Sequence, residues 1–343
     1  MKTIRVKFIG FTDFDLDECD FYHILKKNYI IEESDNPDYV ICSIFGRPYE
    51  YCKYDQIRIM CVGENYIPDF NVIDYAISPY PISFFDRNFY YPWCMHSYGR
   101  CKALQTKERK YDESLIKEKE FFANFIYGQV SENNIREDFF IRLSKYKRVE
   151  SAGKNLNNMP NHMVVGRKNS GKIDFQKKCK FSICFESNKH KGFITEKIVD
   201  AFYADTIPIY YGSDTITTIF NKDAFINCND YESFDEVIDK IIEIDNDDEK
   251  YLQMMNQPVF VKADFPSQVL NSLESFLINI FDQPLESAYR RSRYAKPRVF
   301  NKMLADVSER YPHFYRKRSF LEKVTASVKS KVYYFLKPFI LKK

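Results

Sequence analysis

Residues 181–213 read FSICFESNKHKGFITEKIVDAFYADTIPIYYGS. An apolar run ends at Phe185, a polar loop follows with Glu186, Asn188, Lys189, His190 and Lys191, and Gly192 gives it freedom to turn. Thr195 suits a helix N-cap, the pattern through residue 204 is helical, and residues 207–210 form a second apolar strand. Strand, loop, helix and strand in this order predict a β-α-β unit, hence a parallel sheet. Lys197 stands in the first turn of the helix, where the dipole disfavours a cation. An anion at that helix N-terminus would remove the conflict, because free N–H groups and the ammonium then converge on it. The competing reading is a surface lysine neutralised by Glu196. Neither Gly-x-x-x-x-Gly-Lys-Ser/Thr nor Gly-x-Gly-x-x-Gly occurs, which argues against a plain P-loop or dinucleotide fold.

Working outward, residues 3–9, 38–45 and 57–62 are short β-branched and aromatic strands, with a helix at 21–27 between the first two. Residues 101–120 are mostly polar and read as a connector. A second series follows: a strand at 121–127, a helix at 134–145, the quoted unit, and helices at 233–244 and 266–280. The expectation is an α/β protein of two Rossmann-like lobes facing a cleft. Arg5 and Lys7 interrupt the apolar N-terminus, which makes it a strand rather than a signal peptide. No window of about 18 apolar residues exists, so no spanning helix is expected. Nine scattered cysteines without a Cys-x-x-Cys pair and five unpaired histidines predict buried thiols and no zinc site.

The 343 residues are 45% hydrophobic and 29% charged, a globular composition. The net charge of +3 conceals an asymmetry. From residue 286 onward, 16 Lys and Arg face 4 Asp and Glu, a balance of +12, which leaves −9 for the preceding body. Within that tail, Phe320, Val324, Val328, Val332 and Leu336 recur every four residues among lysines. A basic amphipathic helix of this kind suits an anionic membrane surface; no recognition module for nucleic acid accompanies it.

The quoted stretch resembles the donor-binding motif of the α-1,3/1,4-fucosyltransferases, glycosyltransferase family 10, of bacterial type. The resemblance rests on Phe181, Phe185-Glu186, Gly192-Phe193, Thr195-Glu196-Lys197-Ile198, Asp200-Ala201-Phe202, the run from Thr206 to Tyr210, and Gly212-Ser213. Val62-Gly63-Glu64-Asn65 with Pro68-Asp69-Phe70 and Asp74-Tyr75-Ala76 is similar to the family's acceptor-lobe block. Asn134-Ile135-Arg136 is similar to its phosphate-binding arginine segment, and Ser151-Ala152-Gly153-Lys154 to a further recurring block. The resemblance covers roughly residues 3–280. It departs at Ser187-Asn188, where the family has Asn-Ser, at Phe193, where it has Tyr, and at Tyr211, where it has Trp.

The resemblance implies a GT-B type fold with lobes at 1–117 (acceptor) and 118–285 (donor), followed by the basic amphipathic tail at 286–343. It implies inverting transfer of L-fucose from GDP-β-L-fucose to a glycan hydroxyl, the 3-OH of GlcNAc in a lactosamine-type acceptor, without a required cofactor or metal. Glu64 is then the base, at the carboxyl end of a parallel strand where such sheets present ligands. Arg136 and Lys197 clamp the diphosphate, while Lys154, Glu186, Asn188, Phe193, Thr195 and Glu196 complete the donor site. The expected setting is cytoplasmic, peripheral on the inner face of a bacterial membrane, docked through residues 319–343. Two other readings stay open: a GT-B transferase for another GDP-sugar, and a non-catalytic basic-tailed glycan- or membrane-binding protein.

Overall fold

The computed structural model describes residues 1–11, 16–131, 133–166 and 171–310. Two sheets form among them, and every strand pair in both is parallel. The first comprises β1 (Lys2–Ile9), β2 (Tyr29–Glu33), β3 (Tyr39–Ser43), β4 (Ile57–Cys61), β5 (Tyr75–Ser78) and β6 (Asn88–Tyr90), in the order β2-β1-β3-β4-β5-β6. The second comprises β7 (Phe121–Asn124), β8 (Val149–Glu150), β9 (Cys179–Phe185), β10 (Ile207–Tyr211) and β11 (Ile226–Asn227), in the order β11-β10-β9-β7-β8. Central strands such as β3 are buried along their whole length, as a parallel sheet covered on both faces requires, so they read as apolar runs rather than alternations. Edge strand β2, with Ile30, Glu32 and Glu33 exposed, carries the weak pattern that hides it in the sequence.

The covering helices are α1 (Asp20–Asn28) and α2 (Tyr98–Thr106) on the first lobe, then α3 (Glu113–Lys117) at the crossover. The second lobe carries α4 (Ile135–Leu143), α5 (Gly171–Lys177), α6 (Glu196–Tyr203), α7 (Phe234–Asp245) and α8 (Asp248–Met255). The chain closes with α9 (Phe265–Asp282), α10 (Leu285–Ala288) and α11 (Ala295–Arg310).

These last helices correct two boundaries. Helix α9, expected in the second lobe, returns to the first. Its Glu274 accepts hydrogen bonds from Lys27 and Asn28, its Asp282 accepts from the Tyr29 hydroxyl, and Phe281 stacks at 4.5 Å on Tyr39. The apolar stripe through Leu273, Leu277 and Ile280 needed a partner face, and α1 and α2 supply it.

The basic segment after residue 285 is likewise not free tail over its whole length. Arg291 is buried against Asp74 at 2.8 Å, with 3% and 0% of the two side chains exposed, and Arg290 pairs with Asp86 at 2.5 Å. Asn301 of α11 accepts from the buried Arg58 at 2.6 Å. Part of the +12 excess therefore neutralises carboxylates of the −9 body. The amphipathic run from Phe320 to Leu336 and the docking segment 319–343 lie outside the described residues.

Removing one partner of a buried pair strands the other charge, so Arg291→Met is expected to cost about 3–5 kcal/mol of stability. Urea unfolding measures this; a loss below about 1 kcal/mol, the range of exposed pairs, would show that the anchor contributes no more than a surface contact.

Candidate functional site

Strands β9 and β10 end side by side, and the loop that leaves β9 meets the first lobe at the end of β6, where the Tyr90 hydroxyl donates to the Gly192 carbonyl at 3.0 Å. Glu186, directly after β9, is buried. Its Oε1 accepts from the backbone N–H of Thr195 at 2.7 Å, both oxygens accept from the Thr195 hydroxyl at 2.9 Å, and Oε2 accepts from Lys197 Nζ at 3.0 Å. Lys197 Nζ also donates to Thr195 Oγ1 at 2.7 Å. Burial pushes the Lys197 ammonium down, but the charges of Glu186 and Glu196 outweigh it and hold the pKa above the usual lysine range. Lys197 is thus fixed as a cation at the start of α6.

This triad changes three expectations. Thr195 occupies the N-cap position of α6, yet its hydroxyl makes no capping bond because it is turned to Glu186. The N-terminus of α6 consequently keeps no side-chain cap. Glu186 is a positioning residue whose oxygens are engaged by Thr195 and Lys197 rather than a loop carboxylate directed at ligand. Phe193 is 3% exposed and stacks on Tyr80 of the first lobe with ring centroids 6.3 Å apart, a lobe-to-lobe contact rather than a wall of an open site. Glu196 is half-buried in the first turn of α6. Asn188 shapes its own loop, its Oδ1 accepting from His190 N at 3.0 Å.

Arg136, at the start of α4, is buried with its guanidinium 4.5 Å from the centroid of the Tyr127 ring. Its Nε is buried without a hydrogen-bond partner. Its acidic neighbours on α4 are committed elsewhere. Glu137 accepts from Ser131 N and Asn155 Nδ2, and Asp138 pairs with Arg142 at 2.8 Å. An orphaned guanidinium N–H in a buried position is costly unless something binds there. Arg136 also lies close enough to the half-buried Lys197 to oppose its charge, so the two cations stand near one another. Gly153 rests on the Tyr127 main chain, where a Cβ would come within 2.2 Å of the Tyr127 carbonyl oxygen, and the next residue, Lys154, is exposed.

Glu64 is exposed, on the loop after β4. The residues around it are held rigidly. A Cβ on Gly63 would meet the Trp93 ring at 2.2 Å, so only glycine fits, and Trp93 is stacked on its other side by His96 at 4.9 Å. Asn65 accepts from the Tyr80 hydroxyl, and Tyr80 is the residue stacked on Phe193. Cys94, next to Trp93, donates its N–H to the Ile194 carbonyl at 2.8 Å, one residue before Thr195. The Glu64 loop and the Lys197 triad are therefore linked by two short routes, one through Tyr80 and Phe193, the other through Trp93 and Ile194. Arg100 of α2 and Lys172 of α5 both pair with the buried Asp200 of α6, which fastens the lobes behind the site.

Tyr127, Trp93, Tyr80 and Glu137 were not singled out from the sequence. Their signal there is only that of core aromatics and a helix carboxylate; Glu137 adjoins Arg136 in sequence, but the contact of Tyr127 with Arg136 and those of Trp93 and Tyr80 with the residues flanking Glu64 exist solely in the fold.

Among the described residues no three His, Cys, Asp or Glu side chains form a group able to hold a metal ion. Of the three Asp-x-Asp sequences, Asp13-Phe14-Asp15 lies outside the described residues, and Asp15-Leu16-Asp17 shares its Asp15. In the third, Asp245 is buried between Lys147 and Lys180, and Asp247 caps α8. No helix among the described residues is long and apolar enough to cross a membrane.

With the geometry in place, comparisons with known proteins bear on it. Residues 116–257 match the family model of the glycosyltransferase family 10 (fucosyltransferase) C-terminal region, and residues 6–96 match that of the alpha-(1,3)-fucosyltransferase FucT N-terminal domain. The alpha-(1,3)-fucosyltransferase FucT of Helicobacter pylori is 30% identical over 272 residues, covering 68% of this chain and 55% of its own. The human 4-galactosyl-N-acetylglucosaminide 3-alpha-L-fucosyltransferase 9 is 35% identical over 80 residues, 23% of this chain and 22% of its own. The chain spans little more than half the length of the Helicobacter relative. A crystal structure of an alpha1,3-fucosyltransferase with GDP aligns with a TM-score of 0.67 and 25% identity, covering 82% of this chain and 91% of that one.

Proposed function

Since the chain belongs to glycosyltransferase family 10, the fucosyltransferases, we propose that it transfers L-fucose from GDP-β-L-fucose to the 3-OH of GlcNAc in a lactosamine-type glycan. The observation that carries this reading is the pair of neighbouring cations on the second lobe, Arg136 with its unpartnered Nε and the half-buried Lys197 locked by Glu186, together with an exposed Glu64 on the other lobe. Arg136 offers a planar fork to the diphosphate and Lys197 a point charge at an uncapped helix N-terminus. Lys154, Asn188 and Glu196 surround the nucleotide. The reading assigns no cofactor: the charge that builds on the departing diphosphate falls to these cations.

The acceptor hydroxyl attacks the anomeric carbon from the Glu64 side as the bond to the diphosphate breaks on the Arg136 side. Glu64 takes the hydroxyl proton, the new glycosidic bond forms with inversion from β to α, and GDP leaves with the electron pair of the broken bond. A tight interlobe scaffold keeps the two halves in register, which is how positioning lowers such a barrier.

Purified protein with GDP-fucose and a panel of lactosamine and lacto-N-biose acceptors tests this. GDP release coupled to acceptor fucosylation is the expected result; release of neither product with any acceptor, from protein that still binds GDP, overturns it. A donor panel including other GDP-sugars separates fucose from its competitors.

Residues 319–343 add a partner to the proposal, an anionic membrane on the inner face of a bacterial cell. The full chain is expected to sediment with phosphatidylglycerol vesicles and the chain ending at Arg318 to stay in solution; equal sedimentation of both would remove this partner.

A further inference from the structure

Alternate residues of β3 divide between the two faces of the first sheet. Tyr39 and Ile41 join the core that α9 covers, and Val40 and Cys42 join the core that α11 covers. On this second face Leu304 and Ala305 of α11 pack inward, and Asn301 accepts from the buried Arg58. The other side of α11 stays open. Val299, Phe300 and Met303 are 61%, 40% and 59% exposed, with Lys296, Arg298 and Lys302 exposed among them. The same core reaches the loop before β6. Phe70 packs on it, the Phe84 ring lies 5.3 Å from that of Phe70, and Phe85 lies 5.4 Å from Phe84. The buried Arg87 lies over the rings of both Phe70 and Phe84 and stiffens the stack. Phe85 ends the series, 91% exposed and with a φ of +51°. Glycine and asparagine adopt that backbone readily, whereas a bulky residue is strained there. Its neighbour Asp86 pairs with Arg290, which ties the loop to the segment leading into α11. A strained position that holds a phenylalanine ring in water stabilises nothing within the chain; the ring gains only where it leaves water.

We propose that this outer face of the first lobe docks on an anionic bilayer, with Phe85 as a wedge entering below the headgroups and Lys296, Arg298 and Lys302 of α11 against the lipid phosphates. The inference rests on the membrane partner proposed for residues 319–343 and deepens it, because it adds a contact on the folded body. Apolar side chains set among cations match a surface that offers negative charge above an apolar interior. A second copy of the chain matches it poorly: a two-fold contact through this face would bring its lysines and arginines against one another. A single small insertion binds lipid marginally and reversibly, and stable attachment takes a second signal. The face and the tail each supply one, and together they hold the first lobe itself, not only the terminus, against the membrane.

The test uses the full chain with vesicles of mixed phosphatidylcholine and phosphatidylglycerol. Phe85→Asn, which suits the left-handed backbone, is expected to leave the Tm no lower and to weaken partitioning about 10-fold. Val299→Ser combined with Met303→Ser is expected to weaken it by a similar factor. Phe85→Trp adds a reporter beside the single native tryptophan, Trp93. Its emission is expected to be that of an exposed indole in buffer, and to shift to the blue and be quenched by brominated lipid on vesicles, while wild-type protein shows neither change. Equal partitioning of wild-type and Phe85→Asn protein, with no quenching in Phe85→Trp, overturns the docking face and leaves attachment through the tail standing. Blue emission already present in buffer would show this face covered by the chain itself or by a second copy, and overturns it too. No partitioning of wild-type protein removes the membrane partner altogether, and this face with it.

Discussion

Glu64→Ala is expected to lower the transfer rate by about 10²–10⁴-fold, the range a positioned general base supplies, while GDP affinity stays unchanged. The separation of the two effects follows from geometry. Glu64 sits on the first lobe and is exposed, whereas the cations assigned to the diphosphate belong to the second lobe. The scaffold beneath Glu64 does not depend on its carboxylate, since Gly63 is held by Trp93 and Asn65 by Tyr80. Single-turnover transfer and isothermal titration with GDP measure the two quantities on the same preparation. Equal loss of both would mean that Glu64 supports the fold of the cleft rather than the proton transfer.

The second large effect is at Lys197. Its removal reaches beyond the ligand, because the Glu186 side chain is fully buried and Lys197 is its ionic partner. Lys197→Ala leaves Thr195 as the remaining donor in the triad, and an uncompensated buried charge costs about 3–5 kcal/mol. The expected outcome is a lower Tm without GDP together with weaker GDP binding. Glu186→Gln with Lys197→Met removes both charges at once and is expected to recover most of the Tm but none of the GDP affinity. If Lys197→Ala lost GDP affinity at an unchanged Tm, the triad would not be holding the α6 N-terminus, and Lys197 would act on ligand alone.

The β-α-β unit at 181–213 was legible because its strands are central and its helix amphipathic; burial on both faces produces unbroken apolar runs. The edge and short strands β2, β6, β8 and β11 were not: β2 and β6 are partly exposed, and β8 and β11, though buried, are two residues each, too short to leave a periodicity to read. Lys197 announced itself as a cation in the wrong turn of a helix. The structure supplies the reason it is tolerated there, which is Glu186 eleven residues earlier as well as any anion. Arg136 stood out only through the family resemblance; the fold shows Glu137 and Asp138 turned to other partners and the guanidinium laid on Tyr127.

The basic tail divides in the same way. Charge counting saw +12 after residue 285, but a count has no address, and Arg290 and Arg291 find theirs in Asp86 and Asp74 more than 200 positions earlier. Local patterns, namely periodicity, caps and a motif within thirty-odd residues, are written along the chain, because they arise from neighbours in sequence. The two-lobed α/β class and the family were therefore readable directly. Which charges are paired, which are left for a ligand, where α9 packs and what lies beneath Gly63 depend on contacts between distant segments. Those contacts exist only once the two parallel sheets have formed and their helices have packed on them.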